Sequence, residues 1–188
     1  MKLFGLDKEQ QILRHWSKNP SSAMDELYTY AADYLNGVCF RYIPGDDDRK
    51  DVLQEAFIKI FTQIGTFRYQ GKGSLRAWMT RVTVNEALQW IRRQKRNAQV
   101  ETVENLPEIP EEEPDTTLFT EDEIAEVIQR LPDGYRAVFN LYVVEGKSHK
   151  EISELLHIRP DSSASQLLRA KRMLAKMLKE LKSKKDRN

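Results

Sequence analysis

Apolar positions recur every three or four residues along most of this chain, and nowhere do they alternate over the length of a strand. That pattern predicts helices. Residues 21–42 make one, closed by the Pro44-Gly45-Asp46 turn, and residues 48–64 make the next. A loop over residues 65–73 follows, and Ser74 is the expected N-cap of a long helix reaching about Arg96. Further along, residues 121–131 are amphipathic through Ile124, Val127, Ile128 and Leu131, and Pro132-Asp133-Gly134 ends that run. Residues 135–144, 148–156 and 162–182 complete a second group, with Pro160 blocking continuation and Asp161 or Ser162 able to cap the last helix. The expected fold is all-α: two small helical domains, 21–97 and 119–184, joined by a linker over 98–118. No internal repeat is evident.

Charge changes this picture more than composition does. The net charge of the whole chain is only +1, but it is unevenly distributed. Residues 98–129 hold eleven acids and no Lys or Arg, whereas residues 130–188 hold fourteen basic residues against seven acids. Residues 21–97 are mildly basic, with twelve against nine. Pro107, Pro110 and Pro114 disfavour helix, and like charges repel, so 98–118 reads as an extended tether. Two roles stay open for it: a spacer, or a nucleic-acid mimic that occupies a basic surface until displaced.

The composition excludes other classes. No apolar run approaches the roughly 20 residues that cross a bilayer, and the opening MKLFGLDKEQQ has no signal-peptide core. Cys39 is the single cysteine and sits beside Val38 and Phe40, which suits a buried free thiol in a reducing, cytoplasmic setting. His15, His149 and His157 are scattered, and no nucleophile–base pair or metal-ligand spacing occurs. Neither a cofactor nor a small-molecule substrate is expected, and the chain does not read as an enzyme.

Three constellations carry candidate chemistry. In the helix DVLQEAFIKIFTQI, Leu53, Phe57, Ile60 and Ile64 form an inward stripe, while Asp51, Gln54, Glu55, Ile58 and Thr62 share the other side. Acids, an amide and an unshielded isoleucine together suit a protein contact as well as a solvated face. In the second, Phe67, Tyr69, Trp78 and Trp90 are interleaved with Arg68, Lys72, Arg76, Arg81, Arg92, Arg93, Lys95 and Arg96. Unpaired bases stack on aromatic faces while cations neutralise their phosphates, although the same aromatics could serve only a core. Arg81, Asn85, Gln89 and Arg92 recur as a polar stripe. A buried Asn85 would need a partner, which a base edge or a neighbouring carbonyl would supply.

The third is the run SSASQLLRAKRMLAKMLKEL over residues 162–181. Leu167, Ala170, Leu174, Met177, Leu178 and Leu181 fall on one face, and Arg169, Arg172, Lys176 and Lys179 on the other. Ser162 and Ser165 open the basic face with short side chains. With helix 148–156 and a turn at 157–160 before it, this is a helix-turn-helix suited to the major groove.

Taken in order, DVLQEAFIKIF, SLRAWMTRVTVNEALQWIRRQKR, LPDGYRAVFNLYVVEGKSHKEISELL and LLRAKRMLAKML resemble an extracytoplasmic-function sigma factor of the bacterial sigma-70 family. The resemblance covers roughly residues 21–97 and 119–182. It implies a protein made of the second and fourth sigma domains, which binds core RNA polymerase, directs it to a promoter and helps to open the DNA. Asp51, Gln54, Glu55 and Ile58 would then dock on the clamp coiled coil of the largest polymerase subunit. Phe67, Arg68, Tyr69, Lys72, Trp78, Arg81 and Asn85 would take the −10 element as a single strand, with a flipped base in the loop. Ser162, Ser163, Ser165, Gln166, Arg169 and Arg172 would read the −35 element as duplex, the arginines on phosphate and the N-terminal turn on base edges. An anti-sigma factor, often tethered to the membrane, is a further implied partner.

The chain departs from the family pattern at a few positions. Gln89 stands where an Asp is usual in the long helix. Asp161, Ser163 and Ala164 stand where Gly, a β-branched residue and Lys are frequent. A stand-alone helix-turn-helix regulator with a ligand-sensing first module is the alternative, and it would footprint as a dimer on a palindrome.

Overall fold

A computed structural model describes residues 7–97 and 116–186, and every regular element among them is helical. The described chain divides into two units, one of residues 7–40 and 45–87, the other of 41–44, 88–97 and 116–186. The linker expected over 98–118 lies outside the described residues up to 115, and Thr116–Leu118 is a short 3-10 turn. No helix among the described residues is long and apolar enough to cross a membrane.

The first unit is built on α1 (Lys8–Lys18), α2 (Pro20–Phe40), α3 (Asp46–Gln63) and the first part of α4 (Ser74–Asn97). Helix α1 precedes residue 21, where the sequence reading starts the first domain, and it packs against α2. Asn19 divides the two helices. It closes α1, and its side chain accepts the Ser22 N–H at 3.3 Å. Along α2 the residues Ala23, Leu27, Ala31, Leu35 and Val38 return to one face every three or four positions and are buried. Leu27, Ala31 and Leu35 meet Ile12, Phe57, Ile60, Ile64, Leu75 and Met79 in a single core. Each such aliphatic side chain contributes about 2 kcal/mol by leaving water. An aromatic row edges this core, with Tyr28 on Phe57 at 4.8 Å and Phe57 on Phe61 at 5.7 Å. Cys39 is buried as expected, and burial pushes its thiol up to about 12.

Helix α3 begins earlier than the sequence pattern suggests. Asp46, Asp47 and Asp48 form its first turn, two residues ahead of the expected start at 48, because carboxylates there meet the positive end of the helix dipole. Inside the unit, Lys59 of α3 reaches Glu86 of α4 at 2.6 Å; Glu86 is 5% exposed.

The second unit holds α5 (Glu121–Gln129), α6 (Asp133–Phe139) continued by a π turn (Asn140–Val144), α7 (His149–Leu156) and α8 (Pro160–Lys185). Thr120 and Glu123 form a capping box at the start of α5. Asp133 and Gly134 belong to α6 and are not a free turn. Asp133 pairs with Arg136, whose buried guanidinium also donates to the Gln129 and Leu131 carbonyls at 3.0 and 2.6 Å. One side chain thereby satisfies the last carbonyl of α5 and that of Leu131 just beyond it. Val127 and Leu131 pack on Ala170, Leu174 and Leu178 of α8.

A second capping box, Ser148 with Glu151, starts α7, and its hydrogen bonds hold the Glu151 carboxyl down at about 2. His157 ends α7 in the left-handed region at φ 53, returning the Ile158 N–H to the Ser153 carbonyl. Neither Asp161 nor Ser162 then caps α8. Arg159 is its N-cap without a side-chain bond, and Pro160 occupies the first helical position, where its missing N–H costs nothing.

Candidate nucleic-acid interface

Three surfaces emerge from this framework, two on the first unit and one on the second. On α3 the residues Val52, Ala56, Phe57 and Ile60 face inward. Asp51, Gln54, Glu55 and Thr62 are exposed, and Ile58 keeps 48% of its surface. The side chains of Asp51, Gln54 and Glu55 make no hydrogen bond or ion pair with any described residue. An isoleucine left half in water amid unpaired polar groups is the surface a partner protein would cover.

The second surface is the loop between α3 and α4. After a 3-10 turn (Ile64–Thr66) the chain runs through Phe67 to Gly73. Gly71 and Gly73 sit at φ 117 and φ 90, backbone that side-chain-bearing residues rarely adopt. Phe67 and Trp78 are half-buried and touch, with ring centroids 5.3 Å apart, each keeping one side against the core. Arg68 and Lys72 are exposed. Trp78, Arg81 and Asn85 follow one another along one side of α4. Arg81 and Asn85 are both exposed, so the cost of burying the Asn85 amide does not arise: its side chain is open to solvent. The tryptophan is therefore partly core and partly surface. Arg76 is engaged elsewhere, its guanidinium 3.6 Å from the centre of the Tyr34 ring.

Sequence reasoning did not find what holds this loop. The Tyr69 hydroxyl donates to the Asp7 carboxylate, which also accepts the Gln10 N–H as the cap of α1. That bond lowers Asp7 below the usual carboxylate value and raises Tyr69 to about 12. Glu9, 3% exposed, accepts from the backbone of Gly73, Leu75 and Arg76 and from the Tyr30 hydroxyl. Ser74, expected as the cap of α4, instead accepts the Gln70 N–H at 3.1 Å within the loop. Nothing local marks Asp7 or Glu9 as holding this loop, because the loop and α4 residues they bind lie more than sixty positions away.

The third surface is the outer side of α8. Leu167, Ala170, Leu174 and Leu178 are buried, as the wheel predicts. Ser165 and Arg169 are exposed, as are Lys176 and Lys179, while Ser162, Gln166 and Arg172 are half-buried. Ser163 is a correction. It is fully buried with its hydroxyl 3.0 Å from His149 Nδ1, so it joins α8 to α7 and presents nothing outward. Gln166 turns toward the start of α6, and a methyl group added at Gly134 would lie 3.3 Å from its Oε1. Arg169 donates to the Tyr135 hydroxyl at 3.3 Å. Leu168, absent from the sequence-based set, stands 51% exposed between the serines and the arginines.

Two family models match the chain. Sigma-70 region 2 matches residues 27–97, and Sigma-70 region 4 matches residues 121–174. The chain is 26% identical over 155 residues to the ECF RNA polymerase sigma factor SigE of Mycolicibacterium smegmatis, a match spanning 80% of this chain and 59% of that protein. It is 26% identical over 181 residues to the ECF RNA polymerase sigma factor SigW of Bacillus subtilis, spanning 90% of this chain and 96% of that one. Among solved structures it is similar to the sigma factor RpoE of Bartonella quintana, crystallised with the anti-sigma factor NepR. That likeness has a TM-score of 0.48 at 17% identity and covers 82% of this chain and 96% of the other.

Proposed function

We propose residue roles for a chain that belongs to the sigma-70 family, in its extracytoplasmic-function group. Its function is that of a transcription initiation factor. It binds core RNA polymerase, directs it to particular promoters and assists their melting. Like its family it is a regulator and not an enzyme, and it acts in the cytoplasm where polymerase and promoter are.

The work divides between the domains, 21–97 and 119–184, with 98–118 between them. Asp51, Gln54, Glu55 and Ile58 dock on polymerase. The loop with Phe67, Arg68, Tyr69 and Lys72, and the side of α4 with Trp78, Arg81 and Asn85, take the unpaired −10 strand. Unstacking a base costs a few kcal/mol, offset by stacking on an aromatic face worth about 1–3 kcal/mol per base. The outer side of α8, through Ser162, Ser165, Gln166, Arg169 and Arg172, meets −35 duplex. Ser163 drops out of that set. An anti-sigma factor covers these surfaces when the protein is held inactive.

The single observation that carries the melted-strand role is the adjacency of half-buried Phe67 and Trp78 to exposed cations and an exposed Asn85. Duplex DNA offers no base face to such a surface, whereas an unpaired strand does. The test is transcription from a random promoter library by core polymerase with and without this protein. New start sites sharing two spaced elements are the expected result. Polymerase that initiates nowhere new in its presence would overturn the reading.

A further inference from the structure

The first turn of α1 is fastened to the loop before α4 at two points, although the two segments are far apart in sequence. Glu9 Oε2 accepts the N–H groups of Gly73 at 2.9 Å and Leu75 at 3.2 Å, and Oε1 accepts that of Arg76 at 3.1 Å. The Tyr30 hydroxyl donates to the same carboxylate at 3.1 Å. The first N–H groups of a helix have no partner within it, so Glu9 serves as the N-cap that α4 lacks locally. A buried carboxylate there also meets the positive end of the helix dipole. Two residues earlier, Asp7 holds the Tyr69 hydroxyl.

The segment so held contains Gly71 and Gly73, residues whose backbone freedom makes an unanchored loop costly to order. A reader of unpaired bases needs the opposite: a pocket set before the strand arrives, because ordering it on binding would subtract from affinity and from discrimination.

We propose that Glu9 is a positioning residue for −10 recognition, one that never touches DNA but fixes the loop of Phe67 to Gly73 against the start of α4. The inference rests on the reading of that loop as the −10 site. Replacing one carboxylate oxygen by an amide NH2, as in Glu9→Gln, removes an acceptor and faces a donor toward backbone N–H groups.

The test uses holoenzyme assembled from core polymerase and the full chain. The probe is a non-template-strand oligonucleotide carrying the −10 sequence that the wild-type holoenzyme selects from a random pool. The quantity read is its affinity relative to the same strand with the selected bases replaced. Glu9→Gln lowers that ratio by about tenfold, the scale of losing charge-assisted hydrogen bonds. Tyr30→Phe, which removes one of four donors and keeps the ring, lowers it by about threefold. Affinity for core polymerase is unchanged in both, because the exposed side of α3 is untouched.

Ile12→Val, at a fully buried position of the same helix, lowers the melting temperature and leaves the ratio alone. A ratio that stays at the wild-type value in Glu9→Gln and Tyr30→Phe overturns the inference, and so does an equal fall in Ile12→Val. Asn85→Ala separates the two levels. If it lowers the ratio while the Glu9 variant does not, only the role of Glu9 fails. If no variant changes it, or the wild-type holoenzyme prefers neither strand, the −10 reading of the loop fails and the role of Glu9 with it.

Discussion

His149 Nδ1 lies 3.0 Å from Ser163 Oγ, and that contact ties the last helix of the chain to the helix before it. Tyr142 stacks against the face of the same imidazole, ring centroids 4.8 Å apart. Ser163 is thus part of the joint that sets the angle of α8 and is not part of its reading face. Ser163→Ala lowers stability by about 1 kcal/mol, the usual net loss for one buried hydrogen bond. The preferred −35 sequence stays the same. Thermal unfolding and selection of −35 sequences by holoenzyme check the two halves; a changed base preference with unchanged stability would return Ser163 to the interface.

Gln54 and Glu55 stand on the exposed side of α3, their side chains without partners among the described residues. Their joint replacement by alanine leaves the melting temperature within experimental error, as for surface positions generally. Affinity for core polymerase falls by about tenfold or more, as expected when contact residues near an exposed apolar anchor such as Ile58 are removed. A dissociation constant equal to that of the wild type refutes this face as the dock.

Asn85 is exposed on α4, one turn beyond Arg81 and two beyond Trp78. Asn85→Ala therefore costs little stability, within about 0.5 kcal/mol, and leaves polymerase binding intact. Open-complex formation slows, read by permanganate reactivity of unpaired thymines on a selected promoter. The defect is bypassed on a template whose −10 region is already mismatched only if Asn85 acts in melting; a defect that persists there assigns it to base capture.

The Asp7–Tyr69 bond gives the loop a defined pH window. Asp7 is lowered from 3.8, chiefly by the Tyr69 hydrogen bond, so its contribution is present above 3.8 and is lost as pH falls through its folded value. Tyr69 is raised from 10.0 to about 12, chiefly by Asp7, so its contribution is complete below 10.0 and is lost as pH rises toward 12. The strap therefore holds between roughly pH 4 and pH 10. Both groups are half-buried at the surface, so the consequence is chiefly local order of the loop. An ultraviolet phenolate titration of the wild type minus Tyr69→Phe shows one tyrosine ionising late, and Asp7→Asn returns it toward 10. A Tyr69 that ionises normally in the wild type would remove the strap.

Much of the fold was legible because helices are announced locally. The stripe Leu53, Phe57, Ile60 and Ile64 and the stripe Leu167, Ala170, Leu174 and Leu178 need only the 3.6-residue period to be read. So does the opposite face of α3, where Asp51, Gln54, Glu55 and Ile58 are exposed as expected. Element ends were less legible. Asp46–Asp48 and Asp133-Gly134 resemble turns in composition but begin helices, since acids and small residues suit both settings. Pro160 was read as a stop, whereas a proline at the first helical position is also a start.

The sequence by itself determined which faces are apolar, where the basic and acidic segments lie and which motifs align with the sigma-70 family. Those are properties of periodicity and local chemistry, carried by residues a few positions apart. Only the tertiary structure decided that Glu9 caps α4, that Asp7 holds Tyr69, that Ser163 turns inward and that Asn85 turns outward. Each of these depends on which helix packs against which, and a buried carboxylate or hydroxyl acquires its meaning from partners that one-dimensional spacing does not specify.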